Sequence, residues 1–341
     1  MRSVSLGSEG PLVPAIGLGC MAMSGLYGPA DDAESVKTIH SALESGITLL
    51  DTGDFYGMGH NELLLRRALD GGKREQALIS LKFGALRTPA GGWGGVDARP
   101  AALRNFLAYS LIRLGTDYVD IYRPARLDPA VPIEETVGAI ADLVQSGHVR
   151  HIGLSEVGPE TIRRAHAVHP IADVQLEYSL VSRGIETSIL PTCRALGIAI
   201  TAYGPLSRGL LAGAAPAAGA VPAAGDIRAA RMPRFMGENL PRNLRLVAAL
   251  ERVAASRGAT PAQLAIAWLL SRGPDIVALI GMRRPARLAE ALAAAELALD
   301  GTTLAEIEQA IPPDAVAGTR YDAAQMAHLD SENRAPVRVS P

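Results

Sequence analysis

The sequence predicts a closed (β/α)8 barrel, and three observations carry that expectation. Short apolar runs alternate with amphipathic stretches along almost the whole chain, and the pair repeats eight times. Strands alternating with helices imply a parallel sheet with right-handed crossovers, and eight units in about 300 residues point to closure rather than to two domains. No composition break offers a boundary, so residues 1–341 read as one domain.

The elements follow in order. A first apolar run covers Ile16 to Gly19, and Asp31 to Ser45 carries Val36, Ile39 and Leu43 on one helical face, opens with acidic residues and stops at Gly46. Ile47 to Leu50 reads as a fully buried strand that Asp51 ends. A helical pattern over Leu63 to Leu69 leads to a strand from Ala77 to Leu81 that ends in Lys82. The stretch from Ala85 to Gly95 reads as a loop. Ala101 to Leu114 and Ile133 to Ser146 are amphipathic, and strands are expected at Tyr118 to Tyr122 and Val149 to Leu154. Pro159 to Val168 leads to Ile171 to Gln175, and a helix from Ile185 to Ala195 leads to Ile198 to Ala202. Leu244 to Gly258 and Ala262 to Ser271 lead to Ile276 to Ile280. Residues 210–243 begin with a stretch of Ala, Gly and Pro and read as a long mobile loop on the barrel rim.

Composition bounds the function. With 341 residues, 48% hydrophobic and 20% charged, the chain can bury a large core. A net charge of -2 argues against nucleic acid or an anionic membrane as partner. No run approaches the length of a membrane span and the N-terminus shows no signal pattern. Cys20 and Cys193 form no disulfide framework. The expectation is a cytoplasmic protein, a monomer or small homo-oligomer, acting on a small molecule.

The chemistry concentrates around Gly46 to Gly57, where Asp51 ends a strand and Tyr56 follows on a glycine-punctuated loop. Only Lys37, Lys73 and Lys82 are lysine among 33 basic residues, so the one at a strand end is informative. Lysine supplies a compact ammonium with a tunable pKa, which arginine does not. In a (β/α)8 barrel the active site lies at the C-terminal ends of the strands, which brings Asp51, Tyr56 and Lys82 together. A lysine about 4 Å from the phenol, at an effective dielectric near 20, interacts by roughly 4 kcal/mol, lowering a pKa near 10 by about three units. On that expectation Tyr56 becomes a general acid near neutral pH, with Asp51 holding Lys82 charged. The competing reading of the same residues is a salt bridge capped by a packing tyrosine.

Two further patterns are set aside. Gly17 to Ala22 matches the dinucleotide fingerprint G-x-G-x-x-G/A, which requires a helix to open at once. Ser24, Gly25, Tyr27, Gly28 and Pro29 follow instead, which is loop. His148 with His151, and His166 with His169, lack a carboxylate or thiol to complete a metal site, and no metal is expected.

Five motifs resemble the aldo-keto reductase family, in order and over nearly the whole chain. They are Asp51-Thr52-Gly53-Asp54-Phe55-Tyr56-Gly57, Leu81-Lys82-Phe83-Gly84, Gly153-Leu154-Ser155-Glu156, Tyr203-Gly204-Pro205-Leu206-Ser207-Arg208-Gly209 and Gly281-Met282-Arg283-Arg284. The resemblance implies a barrel that reduces carbonyls with NADPH, without metal or flavin. It assigns Asp51, Tyr56 and Lys82 as the catalytic aspartate, acid and lysine. It also aligns Ala125, in Arg123-Pro124-Ala125-Arg126-Leu127-Asp128-Pro129, with the family's usual catalytic histidine. A methyl group donates no hydrogen bond, so a water, the substrate or Arg126 must fill the gap, or turnover is slow.

On the cofactor side, Ser155, Gln175 and the backbone from Leu206 to Gly209 suit a carboxamide and a pyrophosphate, and the resemblance gives them those roles. Gly19, Met21, Asp51, Pro205, Ser207 and Gly281 join this set, and Tyr203 is the ring expected to stack on nicotinamide. Gly281 to Arg284 runs into Pro285, a suitable first helical turn, so an anion at that N-terminus is expected. Arg283, Arg284 and Arg287 favour a 2'-phosphate. Glu290 matches the adenine-side glutamate, although its usual asparagine neighbour is Ala291. Tyr27, Phe55, Trp93, Ala125 and Arg126 are the expected substrate pocket. The alternative function is a nucleotide-binding regulatory protein on the same barrel, similar to the family's channel-associated members.

Overall fold

The computed structural model describes residues 1–212 and 226–332. Eight parallel strands close into a barrel. They are β1 (Ile16–Gly19), β2 (Leu49–Gly53), β3 (Leu78–Phe83), β4 (Val119–Pro124), β5 (Val149–Ser155), β6 (Ile171–Glu177), β7 (Ala199–Tyr203) and β8 (Ile276–Gly281). Each neighbours the next in chain order, and β8 pairs with β1. An antiparallel hairpin, Ser3–Ser5 with Leu12–Pro14, precedes β1. Its Val4, Leu6 and Val13 pack with Leu49, Ile121, Ala199 and Val277, so it plugs the N-terminal end of the barrel. Among the described residues no helix is long and apolar enough to cross a membrane.

Alternation along the strands explains both faces. Leu50, Ile79, Leu81, Ile152, Leu154, Val174, Leu176, Ile200 and Ile280 point outward into the layer shared with the helices. The inward positions start apolar and become polar toward the C-terminal end. Above the plug lies an ion pair, Arg123 Nη1 to Asp173 Oδ2 at 3.0 Å, with both side chains fully buried. Arg123 also donates to Ser80 Oγ at 3.0 Å, and Thr201 Oγ1 donates to Asp173 Oδ2. Strands β3, β4, β6 and β7 therefore meet across the lumen. Gly153 on β5 makes the space, since a Cβ there would lie 2.7 Å from Asp173 Oδ1 and 2.9 Å from Arg123 Cζ.

The structure departs from the sequence expectation in four places. β2 continues to Gly53, because Asp51, Thr52 and Gly53 still pair with Ser80, Leu81 and Lys82, so Asp51 lies inside the strand rather than ending it. Residues 85–95 are not irregular: Ala85–Arg87 and Trp93–Val96 form a hairpin beside the mouth. The expected helix from Ile185 breaks into a 3-10 turn, Gly184–Thr187, and a helix, Ile189–Ala195. Pro191 has no N–H for the carbonyl of Thr187, and its ring would clash there, so one helix cannot run through both. Residues 226–243, expected in the mobile rim loop, hold the helix Arg228–Arg231, a turn at Pro233–Phe235 and the start of the helix Asn239–Ser256. Arg234 explains this order, because its guanidinium is buried against Glu177 Oε1 at 3.1 Å and the Val181 carbonyl at 2.7 Å. Residues 213–225 of that loop lie outside the described residues.

Candidate active site

The lumen opens at the C-terminal ends of the strands, where period two places Asp51, Lys82, Ala125, Ser155, Gln175 and Tyr203 one step above the Arg123–Asp173 layer. Lys82 Nζ forms an ion pair with Asp51 Oδ1, and both side chains are buried. Asp51 Oδ2 accepts from Ser80 Oγ at 2.9 Å and from Gln175 Nε2 at 2.7 Å. Arg123 thus reaches Asp51 through Ser80, and the two ion pairs form one polar column. Burial lowers the Lys82 pKa from its ordinary value, with Asp51 opposing and Arg123 adding to the effect.

Tyr56 follows β2 on a tight turn, Tyr56–Gly59, in which Gly57 and Met58 adopt left-handed conformations. Its ring is 8% exposed, packs edge-on to Phe55 at 4.8 Å, and lies 5.4 Å from Lys82 Nζ. The turn is held from behind by the buried Asn61, which accepts from Thr52 Oγ1 at 2.6 Å and donates to the Cys20 carbonyl at 2.9 Å. The expected depression of the Tyr56 pKa is not what this environment produces. Burial first, and Asp51 second, hold it well above the ordinary phenol value. Lys82 is neutralised by its partner, so the phenol faces a dipole instead of a bare cation.

Four residues other than glycine have left-handed backbones among those described, namely Met58, Glu156, Ser207 and Arg208, and all four sit on loops at this mouth. Such strain persists only where the surroundings over-determine it, and it gathers at functional sites. Glu156, just after β5, is clamped by a segment that sequence reading did not connect to the site. Arg320 pairs with both of its carboxylate oxygens, and Tyr203 Oη donates to Oε1 at 2.7 Å. Burial alone would raise the Glu156 pKa, but Arg320 outweighs it and holds the carboxyl well below its usual range. Tyr321 Oη lies 2.9 Å from Tyr203 Oη, and Arg208 packs 4.6 Å from the Tyr321 ring centroid while pairing with Glu177 at 2.9 Å. The chemistry-bearing members Arg320 and Tyr321 carried no signal at the sequence level, because nothing in their spacing relates them to a strand end.

The remaining expected residues divide. Ala125 is 2% exposed and its N–H donates to the Phe83 carbonyl at 2.8 Å, so its methyl lies at the end of β4 beside Lys82. Tyr27 meets Asp226 across a single bridge, and burial pushes its phenol up to about 12. Trp93 sits opposite Arg87 in the side hairpin, and Arg87 lies 5.8 Å from the Phe55 ring, so the hairpin stands beside Phe55 while Trp93 itself is 43% exposed. The turn at Met21–Ser24 is 3-10, not the α-helix a dinucleotide fingerprint needs. The helix Pro285–Glu296 opens at Arg284. Arg283 donates to the Pro29 carbonyl at 2.9 Å, Arg284 approaches Glu34 at 3.6 Å, and Arg287 pairs with Glu290 at 2.9 Å. These arginines gather at one helix end, each already engaged. No group of three metal-ligating side chains occurs among the described residues.

A carbonyl-reducing cofactor can be tested against this geometry. Ser155 Oγ is buried at the end of β5 with no hydrogen-bond partner, and its strand neighbour in register is Gln175. Gly19 and Gly281 pair where β1 meets β8, leaving that rim without side chains. An orphaned hydroxyl beside an amide, next to a bare backbone rim, fits a flat ring carrying a carboxamide.

Comparison with known proteins gives the family. The model of the aldo/keto reductase family matches residues 15–312. The chain belongs to the aldo-keto reductase family. A probable aldo-keto reductase from Glycine max is 41% identical over 322 residues, 94% of this chain and 92% of that protein. Among solved structures, a glycerol dehydrogenase from Gluconobacter oxydans is similar with a TM-score of 0.81 and 29% identity, covering 93% of this chain and 98% of that one. An aldo-keto reductase from Klebsiella pneumoniae in complex with NADPH has a TM-score of 0.73 and 27% identity, over 94% and 99% of the two chains. The family match spans all eight strands of the barrel.

One titration in this loop has a measurable consequence. Burial, and then Glu62, push Asp54 from 3.8 up to about 7. A carboxyl whose folded pKa is raised binds more protons folded than unfolded, so it favours folding below its unfolded pKa and opposes it as pH rises toward 7. Asp54→Asn is therefore expected to stabilise the protein at pH 8 relative to wild type, and by less at pH 5. Wholly buried, the shift would carry roughly 4 kcal/mol, and about half that for this partly exposed group. Urea unfolding at the two pH values reads the difference, and equal effects at both would contradict the assignment.

Proposed function

We propose that this aldo-keto reductase reduces an aldehyde or ketone to an alcohol with NADPH, and that Tyr56 is the general acid. The observation that carries the reading is the buried Lys82–Asp51 pair at the barrel mouth with the Tyr56 ring over the ammonium. The NADPH complex of the Klebsiella relative and the orphaned Ser155 hydroxyl support the cofactor. When bound, the cofactor supplies a hydride to the carbonyl carbon. Tyr56 O–H donates its proton to the carbonyl oxygen as negative charge builds there. Lys82 stabilises the phenolate left behind, and Asp51, held by Ser80 and Gln175, fixes Lys82 in place. In this reading Ser155 and Gln175 orient the carboxamide, Tyr203 backs the ring, and Arg283, Arg284 and Arg287 meet the adenosine phosphate. Burial of Tyr56 keeps water from competing for its proton.

Ala125 stands where the family resemblance expects an imidazole, and a donor lost at a developing oxyanion typically costs about 10² to 10³ in rate. Ala125→His is expected to raise kcat on small aldehydes by at least about tenfold if that donor is limiting. No gain would show that another group already fills the role. Ala125 also favours the second reading, a nucleotide-binding regulatory barrel with slow or no turnover. NADPH and NADH oxidation across aromatic aldehydes, aliphatic aldehydes, ketones and dicarbonyls separates the two. Turnover preferring NADPH supports the reductase, whereas tight NADPH binding without turnover on any substrate supports the regulatory barrel.

A further inference from the structure

Most cations deep in the mouth touch a carboxylate. Lys82 has Asp51, Arg208 and Arg234 share Glu177, and Arg320 takes Glu156. Arg126, at the end of β4, has no carboxylate within ion-pair distance among the described residues. Its Nη1 donates only to the adjacent Ala125 carbonyl, at 2.6 Å. The side chain is partly buried, and its guanidinium lies 5.8 Å from the ring centroid of Tyr321, whose hydroxyl touches that of Tyr203. Its charge acts on both Tyr56 and Lys82. Glu156 acts on it only from beyond ion-pair distance and is already taken by Arg320, so a partly buried guanidinium with no contact ion pair stands next to the reacting groups, where the anion of a ligand can pair with it.

The cofactor's phosphates are not that anion. In the closed ring of eight strands, β4 stands opposite β8, whose helix end carries the arginines suited to phosphate. Arg126 is on the far side of the mouth, close enough to Lys82 for its charge to act there, and its neighbour Ala125 presents only a methyl group. A substrate entering over Tyr56 reaches this guanidinium.

We propose that Arg126 binds a carboxylate carried by the substrate, so that the enzyme's substrates are anionic carbonyl compounds. The inference rests on the reductase reading of the same site. A carboxylate held by the planar fork fixes the carbonyl against Tyr56 and gives Arg126 a contact ion pair. The acidic alcohol formed stays anionic, so the product shares this subsite.

The test compares 4-carboxybenzaldehyde with methyl 4-formylbenzoate, which differ by one charge, in wild type, Arg126→Gln and Arg126→Lys. Wild type is expected to prefer the carboxylate by about 10- to 100-fold in kcat/KM, expressed mainly in KM, as hydrogen bonds to charged groups allow. The preference should collapse toward unity in Arg126→Gln and be partly kept in Arg126→Lys. Equal rates on the two aldehydes in wild type, or a preference that survives Arg126→Gln, overturn the inference and leave the reductase reading intact. Calorimetric titration of benzoate into NADP-loaded wild type and Arg126→Gln supplies a reading without turnover. Benzoate binding that depends on Arg126 in a protein that reduces neither aldehyde would uphold the anion site while the reductase reading fails. Benzoate binding equally to both proteins counts against Arg126.

Discussion

Tyr56→Phe is expected to lower kcat for carbonyl reduction by about 10² to 10⁴, the usual contribution of a positioned acid. Phenylalanine keeps the edge contact with Phe55 and the ring over Lys82, so only the hydroxyl is lost. NADPH should still bind, because none of the groups suited to its carboxamide or phosphates is touched. The unsubstituted enzyme supplies a second arm of the test. Because burial and Asp51 hold the Tyr56 pKa well above its ordinary value, the phenol stays protonated throughout the neutral and mildly alkaline range. An acid is lost only as pH rises through its own pKa, so single-turnover reduction should be flat from pH 6 to about 9. A fall of activity near pH 7 would place the acid elsewhere, and so would appreciable turnover in the phenylalanine variant.

Arg123→Leu is expected to cost about 3 to 5 kcal/mol of stability, the usual penalty for leaving one member of a buried pair uncompensated. Asp173 has no exposure to water, and Thr201 alone would remain to satisfy it. The double variant Arg123→Leu/Asp173→Leu should recover most of the loss, since apolar replacement of a whole buried pair is often neutral or better. Guanidinium unfolding of wild type, the single variant and the double variant measures both effects. A single variant as stable as wild type would mean that water reaches Asp173 in solution. A double variant no better than the single one would mean that the cost lies in lost packing against Gly153 rather than in the charge.

The barrel was legible because its strands and helices differ in period and each crossover carries a breaker. Element ends were less so: the Asp51 position failed because a charged residue looks like a strand end until the partner strand is known. The spacing was enough to expect Asp51, Lys82 and Tyr56 at one place, where the fold does bring them, but the sign of the Tyr56 pKa shift depends on how close Asp51 sits to Lys82 and on how little water remains. Neither is a property of spacing. The lumen pair could have been read from the same pattern. Two positions before Lys82, Ala125, Ser155, Gln175 and Tyr203 stand Ser80, Arg123, Gly153, Asp173 and Thr201, and a strand's period of two puts each on the same inner face. Arg320 had no such signal, since its partner Glu156 lies 164 residues away and only the fold relates them.

That separation has a consequence for biosynthesis. At a usual rate of ~5–20 residues per second, the guanidinium of Arg320 is made roughly 10 to 30 s after the carboxylate of Glu156. Through that interval Glu156 lacks its counter-ion, so the mouth cannot be completed before Arg320 is made. The clamp on Glu156 therefore joins the mouth only after the last barrel strand, Ile276–Gly281, has been made.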